Sequence, residues 1–208
     1  WYIAPWMQMT LTAPLLHVWP NGTLLYNGVS DGLMIRFSLA VLAGLVCVIP
    51  FGLYQFWAFV APGLRTRERA FIWPILVMSP ILFVCGVAFA FYVMFPFVFG
   101  FFMELNTSAP VPAILMPAAR DYLGFAIGML KVFGVAFQLP LVLVMLNRIG
   151  VLPRSRVVKM RRYAIVLIVV VAAILTPPDI VSQIALAIPM WALFEASILF
   201  MRKDDVKN

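Results

Sequence analysis

The chain has 208 residues, of which 64% are hydrophobic and 11% charged, with a formal net charge of +7 and a mean hydropathy of +1.04. A soluble domain of this size is excluded, because its surface helices would have to present a polar face. A single histidine and two cysteines leave too few ligands for a metal cluster or a disulfide framework.

In chain order, residues 1–36 form a polar-flanked leading segment. Within it, Trp1 to Met9 reads as the interfacial end of a helix, with Trp1, Tyr2 and Trp6 forming an aromatic belt. That reading implies an earlier span ahead of Trp1, which is favoured over a removed signal peptide. Phe37 to Leu64 is uncharged and gives a first span at about 37–62. Ala70 to Met103 contains no Asp, Glu, Lys or Arg, well over the roughly 20 residues that cross a bilayer. It gives a second span at about 71–96. Tyr122 to Asn147 contains only Lys131 and gives a third at about 122–147. Tyr163 to Thr176, stopped by Pro177-Pro178, gives a fourth of roughly 21 Å, shorter than an ordinary hydrocarbon core. Such a span is met by bilayer thinning or helix association, or is itself tilted or broken. Ile180 to Met201, interrupted only by Glu195, gives the fifth at about 180–201. Cys47 and Cys85 fall mid-span and read as small packing residues. In lipid each span must close its own backbone hydrogen bonds. The expectation is an all-α membrane protein, a polytopic helical bundle of five spans in one integral membrane domain over 1–208.

The basic residues alternate between the gaps. Arg65, Arg67 and Arg69 follow the first span, Arg148 to Arg162 the third, and Arg202, Lys203 and Lys207 the last. These regions carry 12 of the 15 Lys and Arg. The alternation places them in the cytoplasm and residues 1–36 outside. The positive charge is thus a topology signal; a nucleic-acid footprint would need a basic groove interleaved with aromatics.

Neither a nucleophile–base set nor a phosphate-binding loop can be assembled around His17 or Ala61-Pro62-Gly63, so no enzyme activity and no cofactor is expected. The candidates are the polar residues placed in or beside the membrane, where burial is costly. Gln138 either satisfies the carbonyl that Pro140 frees one turn earlier or faces a wet cavity. Lys131 lies on about the same helical face, and either snorkels or pairs with Asp121 or Glu195. Asp179 caps the last helix or binds a partner, and with Thr176 and Gln183 it makes a polar patch between two short spans. Glu68, among three arginines, is either a solvated surface ion pair or the receiver of an external guanidinium.

Tyr54-Gln55-Phe56-Trp57-Ala58-Phe59-Val60-Ala61-Pro62-Gly63-Leu64, ending in Glu68-Arg69, closely resembles the first cytoplasmic loop of the TatC family, the multispanning core of the twin-arginine translocase. Phe133-Gly134-Val135-Ala136-Phe137-Gln138-Leu139-Pro140 is similar to that family's fourth helix. Arg161-Arg162-Tyr163 through Thr176-Pro177-Pro178-Asp179 and Gln183 to Ala187-Ile188-Pro189 is similar to its fifth and sixth. The resemblance implies six spans with both termini cytoplasmic, of which the five here are helices two to six, the first being absent. It implies that Glu68, with Phe59 and Leu64, helps to bind the signal peptide. It places a site for the single-span TatA and TatB subunits around Thr176, Pro178, Asp179 and Gln183. Pro14 matches a proline of the first external loop. Many relatives carry Glu where this chain has Gln138.

The implied function is the core and signal-peptide receptor of a translocase that exports folded proteins using the proton-motive force. Implied partners are TatA, TatB, twin-arginine signal peptides, other copies of the chain and membrane lipid. The implied location is a bacterial inner membrane with the C-terminus cytoplasmic; a mitochondrial inner or thylakoid membrane is the other possibility. The alternative function is a small-solute secondary transporter, which would show broken helices and midplane ionisable groups in two related halves.

Overall fold

The structure is a computed structural model that describes residues 2–19, 23–60, 72–107, 116–175 and 180–202. Those residues form helices α1 (Ala4–Val18), α2 (Asp31–Val60), α3 (Ile72–Phe89), α4 (Phe95–Thr107), α5 (Ala119–Ala136), α6 (Leu139–Arg148), α7 (Arg154–Lys159), α8 (Arg161–Leu175) and α9 (Ile180–Phe200). A π-helical turn, Ala90–Met94, joins α3 to α4. It lies directly ahead of Pro96, whose missing N–H and ring would disrupt a regular turn, and it lets the helix continue instead of ending near 96. Among the described residues four stretches are long and apolar enough to cross a membrane: Asp31–Ile49, Pro74–Leu105, Ala119–Arg148 and Ile180–Phe200. The segment expected to be the short fourth span forms α8, with 15 residues, and is not among these four.

Two compact units partition the chain. The first comprises Trp1–Val48 and Val87–Val132. Its centre is a run of aromatic rings: Phe95 meets Phe99 at 5.6 Å, and Phe99 meets Tyr122 at 4.8 Å and Phe125 at 5.8 Å. Helix α1 packs on α4, and the buried Tyr122 hydroxyl donates to the Leu11 carbonyl at 2.7 Å. Residues 4–18 therefore form one helix with a proline in its first turn, where the expectation made Trp1 to Met9 the end of a preceding helix. At the start of α2, the buried Asp31 carboxylate accepts from the backbone N–H groups of Asn27 and Gly28 at 3.0 and 2.8 Å, and Arg120 lies 3.8 Å away. Leu25 and residues 117–119 exchange two backbone hydrogen bonds of 3.0 and 2.8 Å beside it.

The second unit comprises Ile49–Gly86 and Phe133–Asn208. Val157, Phe194, Ile198 and Met201 form a buried cluster against Leu139, Leu143 and Val144 of α6. Asn147 closes this end: its Oδ1 accepts from the Arg202 N–H at 2.7 Å and its Nδ2 donates to the Leu152 carbonyl at 3.2 Å. α3 and α5 meet at glycines. A Cβ on Gly86 would sit 2.5 Å from the Phe133 carbonyl oxygen, and one on Gly134 would sit 2.5 Å from the Phe83 ring. Membrane helices associate through close packing of this kind, since lipid is as apolar as their side chains. Cys47 and Cys85, read as packing residues, are both free and on exposed helix faces.

Candidate functional site

The polar candidates of the second unit that the structure describes lie at three places along its helices. At the first, Gln138 sits in the turn between α5 and α6 and is 8% exposed. Its Oε1 accepts from the Ser79 hydroxyl at 2.8 Å, and its Nε2 donates to the Ser79 carbonyl at 2.8 Å. The carbonyl freed by Pro140 is thus not what the amide satisfies: a neighbouring helix supplies both partners. Ser79 precedes Pro80 inside α3 and is itself fully buried. It escaped the sequence reading although a lone Ser-Pro in an apolar run is the available signal, because such a pair more often marks a local kink. Lys131 is exposed whereas Gln138 is buried, so the two do not share an environment despite their spacing.

The second place is the mouth of the α8–α9 hairpin. Glu195, considered as a partner for Lys131, instead accepts from Arg161 at 2.7 Å across the two helices. Neither ion pair among the described residues includes Lys131 or Asp121. Asp121 is exposed in the first turn of α5, where a carboxylate favours the positive end of the helix.

The third is the far end of the same hairpin. Gln183 is half-buried, and its Nε2 donates to the Val169 carbonyl of α8 at 3.2 Å. One amide proton is so engaged, and the side chain has a second donor proton and its carbonyl oxygen in addition. Beside it runs an apolar groove of about 220 Å³ lined by Ile165, Ile168, Val169, Ile184, Ile188 and Trp191, among others. Of these, Ile165, Val169, Ile184 and Ile188 are exposed.

The remaining candidates fall elsewhere. Glu68, Leu64, Thr176, Pro178 and Asp179 lie outside the described residues, and Phe59 lies in the last turn of α2 with its side chain outside the description. Pro14 is buried inside α1 of the first unit. Among the described residues no group of three or more His, Cys, Asp or Glu is placed to hold a metal ion.

Comparison with known proteins bears on this arrangement. The family model described as "Sec-independent protein translocase protein (TatC)" matches residues 1–189. The chain belongs to the TatC family. Similar relatives named Sec-independent protein translocase protein TatC include that of Desulforapulum autotrophicum, 37% identical over 92% of this chain and 70% of the relative. That of Haemophilus influenzae is 38% identical over 95% and 79%. That of Escherichia coli K12 is 38% identical over 97% and 77%. A solved structure described as the twin arginine translocase receptor TatC in DDM superimposes with a TM-score of 0.88 at 31% identity, covering 97% of this chain and 88% of that one. The TatC family is one of protein translocase components with an all-helical membrane fold, and that fold is the one found here.

Proposed function

We propose that this chain is the core of a twin-arginine translocase in a bacterial inner membrane and the receptor for the signal peptides of folded cargo. Membership in the TatC family carries the reading, and the bacterial sources of its relatives support the location. The alternating basic gaps support a cytoplasmic C-terminus. Glu68, with Phe59 and Leu64 near it in sequence, receives the arginine pair, because a guanidinium leaving water needs a carboxylate of matching fork geometry. Export is driven by the proton-motive force; the chain carries out no covalent chemistry of its own. Family membership speaks against the small-solute transporter. The test is signal-peptide crosslinking to membranes containing Glu68→Ala. We expect roughly tenfold weaker crosslinking and export while the variant still inserts, in keeping with the loss of one charge-assisted pair. Unchanged crosslinking would remove Glu68 from the receptor site.

The same reading assigns the α8–α9 hairpin to the single-span TatA and TatB subunits. A partner helix with one polar side chain fits an apolar groove lined by Val169, whose carbonyl Gln183 holds, with Thr176, Pro178 and Asp179 between α8 and α9 in the sequence. α8, at 15 residues, supports local thinning there. Each intramembrane hydrogen bond contributes only about 0.6–2 kcal/mol, so Gln183→Leu or Thr176→Val alone should be mild. The double variant should lose most partner crosslinking and export while signal-peptide binding at Glu68 persists. Normal partner crosslinking in the double variant would reduce the patch to a helix-capping turn. Copies of the chain itself are further expected neighbours in the assembled translocase.

A further inference from the structure

The first unit holds a crevice that the translocase reading leaves unused. It measures about 710 Å³ and is lined by Gln8 of α1, by Tyr26 to Val29 of the connecting loop, and by Gly32, Leu33 and Arg36 of α2. Arg36 stands five residues into the first apolar span, Asp31–Ile49, about 7.5 Å along its axis. Arg120, which flanks the same loop, is matched by Asp31 at 3.8 Å. Arg36 has no ion-pair partner among the described residues and is exposed. At the end of a span a guanidinium reaches the interface, where anionic groups are available to it.

The donors around it are arranged for an anion. Gln8 Nε2 donates to the Tyr26 hydroxyl oxygen at 3.0 Å, which leaves the Tyr26 proton to donate onward into the crevice. The nearby N–H groups of Asn27 and Gly28 are already given to Asp31, whose negative charge Arg120 offsets. The net result is one positive charge without an ion-pair partner among the described residues, in a crevice that also holds a hydroxyl donor. Leu33, which lines the crevice, and Phe37, the residue after Arg36, are 55% and 63% exposed, as a surface facing acyl chains would be. We propose that this crevice binds the phosphate of a phospholipid head group, gripped by the Arg36 fork and the Tyr26 hydroxyl, with the acyl chains lying along Leu33 and Phe37. An arginine presents two parallel N–H donors to two phosphate oxygens.

The test is native mass spectrometry of the full chain, delipidated in detergent and titrated with phosphatidylglycerol. The wild type should retain one tightly held lipid, and Arg36→Gln should lower that retention about fivefold, as expected for one basic residue at a membrane surface. Arg36→Lys keeps the charge without the fork and should fall between them, as should Tyr26→Phe. Thermal unfolding of each variant verifies that the unit remains folded. Diacylglycerol with the same acyl chains should not be retained. Equal retention of phosphatidylglycerol by Arg36→Gln, or equal retention of diacylglycerol, would overturn the proposal. So would protection against unfolding by inorganic phosphate equal to that given by lipid, which would assign the crevice to a soluble anion. Loss of a co-purifying protein in Arg36→Gln with lipid retention unchanged would assign it to a protein partner and likewise overturn it.

Discussion

Gly86→Val should prevent accumulation of the folded chain in the membrane, whereas Gly134→Ala should lower its stability by a smaller and rescuable amount. The contrast comes from what each new Cβ would meet. At Gly86 the obstacle is the backbone carbonyl of Phe133, 2.5 Å away, with the Phe133 carbonyl carbon and Phe137 Cβ each at 3.0 Å. That carbonyl also accepts the Phe137 N–H at 3.0 Å just past the end of α5, so it cannot yield without displacing the helix end. At Gly134 the obstacle is the Phe83 ring, whose nearest atoms would lie at 2.5 and 2.9 Å. Overpacking of this kind costs about 1–3 kcal/mol, and more where backbone is the neighbour. Phe83→Leu should restore much of the thermal stability of Gly134→Ala and none of that of Gly86→Ala. Thermal unfolding of the four purified variants in detergent decides this. Equal tolerance of valine at position 86 would mean that α3 and α5 do not approach as closely as the structure places them.

Replacing Gln138 by Leu should destabilise the chain by about 1–3 kcal/mol, since the two hydrogen bonds to Ser79 are both lost and a buried carbonyl loses its amide donor. Ser79→Ala removes the hydroxyl bond to Gln138 and keeps the backbone one, and should cost less, on the order of 1 kcal/mol. Because the two residues share a partner set, the double variant should be less destabilised than the sum of the singles. That coupling separates a direct Ser79–Gln138 pair from two independent polar residues. Additive losses, measured by unfolding under identical detergent conditions, would break the pair. The same cycle read out in export shows whether the pair serves stability alone, since the signal-peptide binding proposed for Glu68 should be unaffected in a folded double variant.

The places where sequence and structure part company share a cause. Lys131 and Gln138 are seven residues apart, a spacing that puts two residues on one helical face only while the helix is unbroken. Phe137 and Gln138 interrupt it, so one residue is exposed and the other buried. The spacing could not reveal this, because Pro140 fits equally well in the first turn of a new helix and in a kinked continuous one. Glu195 was visible as an acid within an apolar run, yet its partner Arg161 lies 34 residues away and is selected by how α8 and α9 align.

The sequence alone determined the solvent in which this chain folds, because long uncharged runs can satisfy their backbone only as helices in lipid. It also determined the family, through ordered motifs around Gly63, Gln138 and Pro177 that extend over most of the chain. Tertiary structure decided the pairings: Gln138 with Ser79, Glu195 with Arg161, Gln183 with the Val169 carbonyl, and Asp31 with the Asn27 and Gly28 N–H groups. Apolar content is a local property, summed over about 20 neighbouring residues. A hydrogen bond between helices depends on the rotation and depth of both, and in a chain hydrophobic nearly all round the sequence has little periodicity from which to read either.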